Sequence, residues 1–182
     1  VFAGPVSYDF PDGTNHFVRT AFLGGCPPTG PIELINGTTA VLIATKALKA
    51  TDWPRFDAAF GLTGGGDKEW FSRLKGQGTR FEWVADAHVV ETVPSSRASL
   101  GWLLKRRYRY GIDDVRIARL HGTPASRVML TAGALRLLVL SPLYLPRLFT
   151  DRRYYQLGRF AQALGRLSAL FGIKFHEYAS RH

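Results

Sequence analysis

The amino-acid sequence predicts an α/β fold followed by C-terminal helices. Over residues 1–123, short β-branched and apolar runs typical of strands alternate with amphipathic runs typical of helices. From Pro124 onward the chain is first nearly all apolar and then amphipathic and basic, without another strand-like run. We therefore expect an α/β part over 1–123 and a helical, membrane-associating segment over 124–182.

Glycine and proline residues divide the α/β part into its elements. Residues 7–37 are rich in turn-forming residues and are predicted to form a long irregular loop. Gly111 is expected to end one helix before the next begins, and Ser96 or Ser99 to cap the first of that pair. The predicted strands are Val1–Val6, Thr38–Ala44, Arg80–Val84 and Ala87–Val93, and the predicted helices are Thr45–Ala50, Asp67–Lys75, Leu100–Tyr110 and Ile112–His121.

Length, charge and cysteine content limit the possible classes of protein. The chain has 182 residues and 46% hydrophobic content, enough to bury a core, and its net charge of +10 indicates an anionic partner. The single cysteine, Cys26, excludes an intramolecular disulfide and a cysteine-rich zinc site. Val1–Val6 resembles the interior of a strand and no signal peptide precedes it, so we expect it to continue a fold that begins upstream.

The C-terminal segment combines an apolar run with a basic amphipathic helix. Val128–Phe149 approaches the length of a membrane span, but a central arginine and two prolines argue against a simple span. Tyr154–Phe171 carries an apolar stripe, and arginines recur every seven residues on a more polar face. Such a helix either lies on anionic lipid or packs on the domain with its arginines in water. The arginines are Arg152, Arg159 and Arg166.

A run of three glycines, Gly64–Gly66, is followed at once by Asp67 at the start of a predicted helix. A flexible turn that presents a carboxylate on a rigid helix is a suitable mount for an active-site acid. The same residue is also favoured near a helix N-terminus without any chemistry, as a cap. Spacing alone favours the cap.

The basic run Lys105–Arg109 admits three interpretations. Interleaved with aromatic residues, it is compatible with nucleic-acid binding, with neutralisation of a diphosphate by arginine, or with a solvated helix face. His88 also has two interpretations, since Asp86 lies two residues before it on the same predicted strand face. Either both side chains are metal ligands, or His88 is a strand-end histidine with an ordinary hydrogen bond. The second case is more common.

The segment FDAAFGLTGGGDKEWFSRLKGQGTRFEWVADAHVVETVP, residues 56–94, resembles the second half of a GT-A glycosyltransferase of family 2. In that family a Phe-Asp-x-x-Phe segment precedes a Gly-Gly-Glu-Asp turn, a helix and a strand. The stretch from Val93 to Arg106 is similar to the branch of succinoglycan-type exopolysaccharide glucosyltransferases. The resemblance implies a partial GT-A fold, the nucleotide-diphospho-sugar transferase fold, without its N-terminal βαβ half.

The same resemblance implies an enzyme that moves a sugar, with inversion, from a nucleotide-sugar donor to a hydroxyl of a glycan or lipid-linked acceptor. Asp67 matches the general base of the family. Arg106, Arg107 and Arg109 fall where cationic residues lie near the leaving diphosphate. The positions expected to contact substrate are Asn36, Gly37, Thr38, Gly64, Gly65, Gly66 and Trp70.

Two departures from the family pattern bear on activity. Gly66 stands where the family has glutamate, and Glu69, two residues beyond Asp67, is not expected to replace it. No Asp-x-Asp motif occurs, so a divalent metal (magnesium or manganese) is expected only for the full-length enzyme, with its main ligands outside this chain and His88 as a candidate within it. We expect the chain alone to be inactive.

The partners and location follow from the resemblance and the charge. We expect an anionic membrane surface as a partner, no nucleic acid, and a location at the cytoplasmic face of the plasma membrane, in cell-surface polysaccharide synthesis. The alternative is a non-enzymatic basic module that binds anionic membrane or nucleic acid.

Overall fold

The computed structural model describes residues 1–22, 25–35, 37–45, 48, 55–140, 143, 153–173 and 175. Within these residues the fold is α/β, with a four-stranded and a two-stranded sheet and long helices in the C-terminal half, which confirms the predicted class. The strands are β1 (Phe2–Ala3), β2 (Val6–Asp9), β3 (Gly30–Ile32), β4 (Val41–Leu42), β5 (Phe81–Trp83) and β6 (Val89–Thr92). The helices are α1 (His16–Phe22), α2 (Gly66–Gly76), α3 (Leu100–His121), α4 (Pro124–Val139) and α5 (Arg153–Leu170).

The chain passes from the larger sheet to the smaller one twice, between β1 and β2 and between β5 and β6. The larger sheet has the order β3-β5-β1-β4, in which β1 is parallel to β5 and antiparallel to β4. The smaller sheet pairs β2 with β6 in parallel. The prediction of one strand over Val1–Val6 is therefore wrong: the chain breaks at Gly4 and Pro5, because proline has no N–H for the ladder.

The first core lies between the larger sheet and α2. Phe71 and Leu74 of α2 are 0% and 1% exposed, and Phe71 meets Phe81 of β5 edge to face with the ring centroids 6.0 Å apart. Trp70 and Val1 complete this cluster with several smaller side chains. The helical spacing of apolar residues predicted this helix to within one residue at each end.

The long helix α3 runs without interruption through Gly111, so the prediction that Gly111 ends a helix is wrong. A Cβ on Gly111 would lie 2.0 Å from the carbonyl oxygen of Gln162, and a Cβ on Gly165 would lie 1.9 Å from that of Tyr108. Two glycines therefore let the backbones of α3 and α5 touch, which offsets the roughly 1 kcal/mol that glycine costs inside a helix. Ser99 caps α3 through Trp102 N–H, as predicted for one of two serines.

Helix α5 forms where it was predicted, but it buries its apolar stripe only in part, through residues such as Phe160 and Leu167. It packs on α3 through small residues such as Gly165 and Ala169, while Leu164 and Phe171 are 49% and 84% exposed. Arg166 is not on a solvent or lipid face, because it binds a buried aspartate of α3. None of the described helices combines the length and apolar character that crossing a membrane requires.

Other sequence predictions need correction. The predicted loop 7–37 contains most of β2, α1 and β3, and α1 begins where the Asn15 side chain accepts a hydrogen bond from Phe17 N–H. Only Val41–Leu42 of the predicted strand Thr38–Ala44 is paired, and β6 begins at Val89, so Ala87 and His88 of the predicted strand Ala87–Val93 lie before it. Most of Thr45–Ala50, and the end of the apolar run after 140 except 143, lie outside the described residues.

Candidate functional site

The glycine run forms a left-handed turn that ends in α2. Gly64 and Gly65 each have a φ of 80°, a conformation that costs other L-residues about 1–2 kcal/mol. Gly65 is the N-cap, so Asp67 lies within the first helical turn rather than at the cap position. Its Oδ1 accepts a hydrogen bond from Lys68 N–H at 2.9 Å. Asp67 is half-buried and lines a cavity.

Helix α3 holds this turn from behind. A Cβ on Gly64 would lie 2.0 Å from Nη1 of Arg109, and a Cβ on Gly65 would lie 2.6 Å from the carboxylate of Asp113. One helical turn further on, Arg116 donates to Thr63 Oγ1 at 2.6 Å. The glycines are therefore required both by their backbone conformation and by the close approach of α3.

Arg109 and Asp113 form a buried pair against the turn. Arg109 Nε lies 3.7 Å from Asp113 Oδ2, and the two residues are 6% and 1% exposed. Burial raises the pKa of Asp113 to about 7, against the opposing attraction of Arg109 and Arg116, while Asp114 raises it further. A buried carboxyl that titrates near neutral pH thus supports the turn that carries Asp67.

The adjacent Asp114 ties three helices together. It accepts hydrogen bonds from Lys68 of α2 at 2.5 Å, from Gln162 of α5 at 2.9 Å and from Arg166 of α5 at 2.7 Å. Burial acts to raise its pKa, but the charge of Lys68 and these hydrogen bonds outweigh burial and hold the pKa below its ordinary value. Lys68 follows Asp67 in the sequence, so the contact between Lys68 and Asp114 helps to fix the position of Asp67 on α2.

A cavity of about 1000 Å³ lies in front of the glycine turn, between the ends of the two sheets and α3. A Cβ on Gly37 would stand 3.9 Å from Asp67 Oδ2, so the loop after β3 approaches Asp67 at this cavity. The residues predicted for the site that do line it are Gly37, Thr38, Gly64, Gly65, Gly66, Asp67, His88, Arg106 and Arg109.

Cations and aromatic rings share the α3 side of this cavity. The guanidinium of Arg106 lies 4.8 Å from the centroid of Trp102 and donates to the hydroxyl of Tyr110. Trp102 also stacks on Phe22 of α1, with centroids 5.8 Å apart and planes at 8°. Cations held on aromatic faces next to a carboxylate make a surface suited to an anionic, ring-containing ligand.

Some residues predicted for the site lie elsewhere. Trp70 is 7% exposed in the core between Phe56 and Phe71, a placement that does not favour a substrate contact. Arg107 lines a different cavity, on another face of α3. Asn36 lies outside the described residues.

Glu69 faces away from the cavity. It is 2% exposed and binds Arg73 at 3.1 Å and His121 Nε2 at 2.8 Å. Glu69 therefore joins α2 to the end of α3. As expected from its spacing, it does not take the place of the family's glutamate, where this chain has Gly66. A Cβ on Gly66 would lie 3.4 Å from Phe60 Cβ and 3.9 Å from Phe56 Cδ1, so a side chain has room at that position.

His88 lies at the cavity but just before β6, not on a strand. Its Nε2 is 2.6 Å from Ser7 Oγ. No group of three or more His, Cys, Asp or Glu side chains that could hold a metal ion occurs in the described part of the chain. The shared strand face with Asp86, on which the metal interpretation rested, is therefore absent.

Sequence reasoning missed several cavity residues. Glu91 on β6 accepts from Thr39 Oγ1 at 3.3 Å, and Tyr8 on β2 lies beside it. Burial, together with the charge of Glu91, raises the pKa of Tyr8 against the opposing charge of Arg106. The parallel pairing of β2 with β6 brings these groups together, and no local sequence pattern announces a pairing between residues so far apart.

The chain is similar to the succinoglycan biosynthesis protein ExoM of Rhizobium meliloti (strain 1021). The two are 29% identical over 134 residues, which cover 72% of this chain and 43% of that protein, so the match spans less than half the length of the relative. No family model matches the chain, and no solved structure matches it. The similarity confirms a distant relation to a protein of exopolysaccharide biosynthesis, while membership of family 2 stays a prediction.

Proposed function

We propose that this chain is the acceptor-side part of an inverting glycosyltransferase, with a partial GT-A fold, that acts in exopolysaccharide biosynthesis. It would move a sugar from a nucleotide-sugar donor to a hydroxyl of a glycan or lipid-linked acceptor. The observation that carries the proposal is the placement of Asp67, which a left-handed glycine turn presents to a large cavity that Arg106 and Arg109 also line. The distant relative in succinoglycan biosynthesis supports it.

The arrangement suits a displacement at an anomeric carbon. Asp67 takes the proton of the acceptor hydroxyl as the acceptor oxygen forms its bond to that carbon, and general-base catalysis of this kind contributes about 10²–10⁴-fold. The bond from the carbon to the diphosphate breaks on the opposite side, and its electron pair leaves with the diphosphate. Arg106 and Arg109 lie on the α3 side of the cavity and would neutralise that charge.

The expected divalent metal does not fit the residues at hand. The described residues offer no group of three potential ligands. As the sequence predicts, we propose that the main ligands of the magnesium or manganese of the full-length enzyme lie outside this chain. The transfer step above uses side chains alone.

Membrane association is the second part of the proposal. Helix α4 exposes Val128, Met129 and Val139 at 67%, 74% and 74%, and the chain is strongly basic. An apolar helix face beside cationic residues favours docking on an anionic membrane, at the cytoplasmic face of the plasma membrane. Sedimentation with vesicles rich in phosphatidylglycerol should carry the chain down, and Val128→Asp with Val139→Asp should reduce this.

Sugar transfer tests the first part. The chain, joined to the part of the Rhizobium meliloti relative that it does not span, is supplied with radiolabelled nucleotide sugars and a lipid extract from exopolysaccharide-producing cells. Asp67→Asn should lower turnover by about 10²–10⁴-fold. Asp12→Asn, at an exposed turn outside the cavity, is the matched control. Turnover by Asp67→Asn equal to that of the parent would show that Asp67 is not the base.

The alternative is a basic module that binds anionic membrane or nucleic acid without chemistry, which the exposed apolar side chains of α4 favour for the membrane. Such a module would bind vesicles equally well with and without Asp67, and no joined partner segment would give transfer. Binding to nucleic acid would fall steeply with salt, because counterions are released from phosphates.

A further inference from the structure

A second cavity, of about 600 Å³, lies between α1, α3, α4 and α5. Its floor is apolar and buried: Leu103 of α3, Leu137 of α4 and Ala163 of α5 are 9%, 8% and 2% exposed. Leu103 and Arg107 lie one helical turn apart on α3, on a different face from Trp102 and Arg106, which line the cavity of Asp67. Helix α3 therefore separates the two cavities.

In the described part of the chain, three arginines and no acid line this second cavity: Arg107, Arg159 and Arg166. Arg166 binds Asp114, as described above. The stem of Arg107 lies along Gly158, where a Cβ would stand 3.5 Å from its Cγ, and the guanidinium of Arg159 lies 5.9 Å from the ring centroid of Tyr155. Neither Arg107 nor Arg159 forms an ion pair within the described ranges of the chain. Two cations thus stand over an apolar floor without a carboxylate partner among the residues that the structure describes.

We propose that this cavity binds a single anionic amphiphile, a phosphate head group between Arg107 and Arg159 with its alkyl chain on Leu103 and Leu137. Uncompensated arginines favour phosphate, and the buried leucines favour the alkyl part. Helix α4 contributes Gly133, Ala134 and Leu137 to the cavity, whereas its exposed Val128 and Val139 lie on the opposite face of the helix. The site is independent of the transfer chemistry proposed for Asp67.

Calorimetric titration with monomeric dihexanoyl-phosphatidic acid tests the site on the intact chain. We expect one lipid bound per chain, with dihexanoyl-phosphatidylcholine and inorganic phosphate each binding at least tenfold more weakly. Arg107→Gln and Arg159→Gln should each weaken phosphatidic acid about tenfold, as expected for loss of one charge-assisted contact of about 1.5 kcal/mol. Arg119→Gln, an exposed arginine of α3 that lines neither cavity, should leave the affinity unchanged.

A cavity-filling variant and its matched control test the site even if an arginine variant fails to fold. Gly133 lines the cavity and Gly101 lines neither, and a Cβ on either residue would meet nothing within 4 Å. Gly133→Phe should abolish phosphatidic acid binding by occupying the cavity, whereas Gly101→Phe should not. Both changes replace a helical glycine and are expected to be tolerated.

Several outcomes would overturn the inference. If phosphatidylcholine bound as tightly as phosphatidic acid, the site would not distinguish a net negative charge. If inorganic phosphate bound as tightly as phosphatidic acid, the site would bind phosphate without the alkyl part. Binding to anionic vesicles without any binding of the monomeric lipid would show that the protein binds a membrane surface and not a single lipid in the cavity. Full binding of phosphatidic acid by Gly133→Phe would show that the lipid binds outside this cavity.

Discussion

The two cavities on either side of α3 differ in the charges that line them. The larger one contains acids, Asp67 and Glu91, among its cations, whereas the charged residues that line the smaller one, among those described, are all arginines. Arg106 and Arg107 are neighbours in the sequence, yet one lines each cavity, because successive helical residues point about 100° apart. A cavity with a carboxylate can accept a proton, and one with only cations is suited to binding.

The glycines of the two cavities also differ in purpose. Gly64 and Gly65 have positive φ values and touch Arg109 and Asp113, so no other residue fits there without strain. Gly133 lines the smaller cavity with open space beside it. Substitution should therefore change the fold at the first cavity and only the available volume at the second.

The largest loss of stability is expected for Asp114→Ala, because Asp114 contacts both regions. The change leaves Lys68, beside Asp67, and Arg166, in the smaller cavity, without their shared anion, and breaking a buried pair of this kind costs about 3–5 kcal/mol. Urea unfolding measures it. Glu33→Ala removes the exposed partner of Lys75 and is the control. A loss no greater than the control's would mean that Asp114 does not join the helices.

Gly65→Ala should destabilise the protein by about 2–4 kcal/mol, because the positive φ and the contact with Asp113 add together. Gly66→Ala, one residue on, has no positive φ and meets Phe60 and Phe56 at 3.4 and 3.9 Å, and Gly133→Ala meets open space. Both controls should be neutral or stabilising by up to about 1 kcal/mol, since alanine favours helix over glycine. Thermal unfolding of the three variants separates them. Equal losses at Gly65 and Gly66 would contradict the role given to α3.

Local patterns in the sequence were enough to predict some parts of this arrangement. The spacing of Trp70, Phe71 and Leu74 predicted α2, and the three glycines before Asp67 predicted a turn that presents an acid. These features depend on residues close together in the chain, and periodicity and turn chemistry describe such features well.

Other parts depend on packing between distant residues, which local patterns do not contain. Gly111 has the signature of a helix end, but contact with α5 makes it part of a helix crossing. No sequence pattern marks Asp113 and Asp114, whose burial follows from the meeting of α2, α3 and α5. Which arginine of the basic run faces Asp67 likewise depends on how α3 is rotated against the sheets.

Asp113 should make stability depend on pH in a defined window. Since its pKa in the folded protein is about 7, against an ordinary 3.8, the folded state binds this proton more readily than the unfolded chain does. The contribution of Asp113 to stability is therefore greatest below its ordinary pKa and declines as the pH rises through about 7. Asp114, with a lowered pKa, changes stability only below this window.

Denaturant unfolding at pH 5 and pH 8, for the parent and for Asp113→Asn, measures this difference between the two aspartates. The parent should lose on the order of 2 kcal/mol more than the variant between these pH values, because the variant has no proton to release. The charges facing the group are Arg109, Arg116, Asp114 and Lys68, and they are unchanged in the variant. Parallel pH profiles for the two proteins would contradict a raised pKa for Asp113.

The smallest effect expected is a change in the reactivity of Cys26, which can report which cavity a ligand occupies. Cys26 is exposed, is the single cysteine of the chain and lines the larger cavity only. Inorganic diphosphate should slow its reaction with a thiol reagent in proportion to the fraction of chains that are occupied. Dihexanoyl-phosphatidic acid should leave the rate unchanged while it binds the smaller cavity.

The variants make this assignment specific. Arg106→Gln should remove the protection by diphosphate, because its guanidinium lies at the larger cavity, whereas Arg107→Gln should retain it. When phosphatidic acid binding is measured by calorimetry, the effects should be reversed: Arg107→Gln should weaken binding and Arg106→Gln should not. If both substitutions weakened both ligands equally, the cations of α3 would act as one diffuse positive field, and the separation of the two cavities by the helix would have no functional meaning.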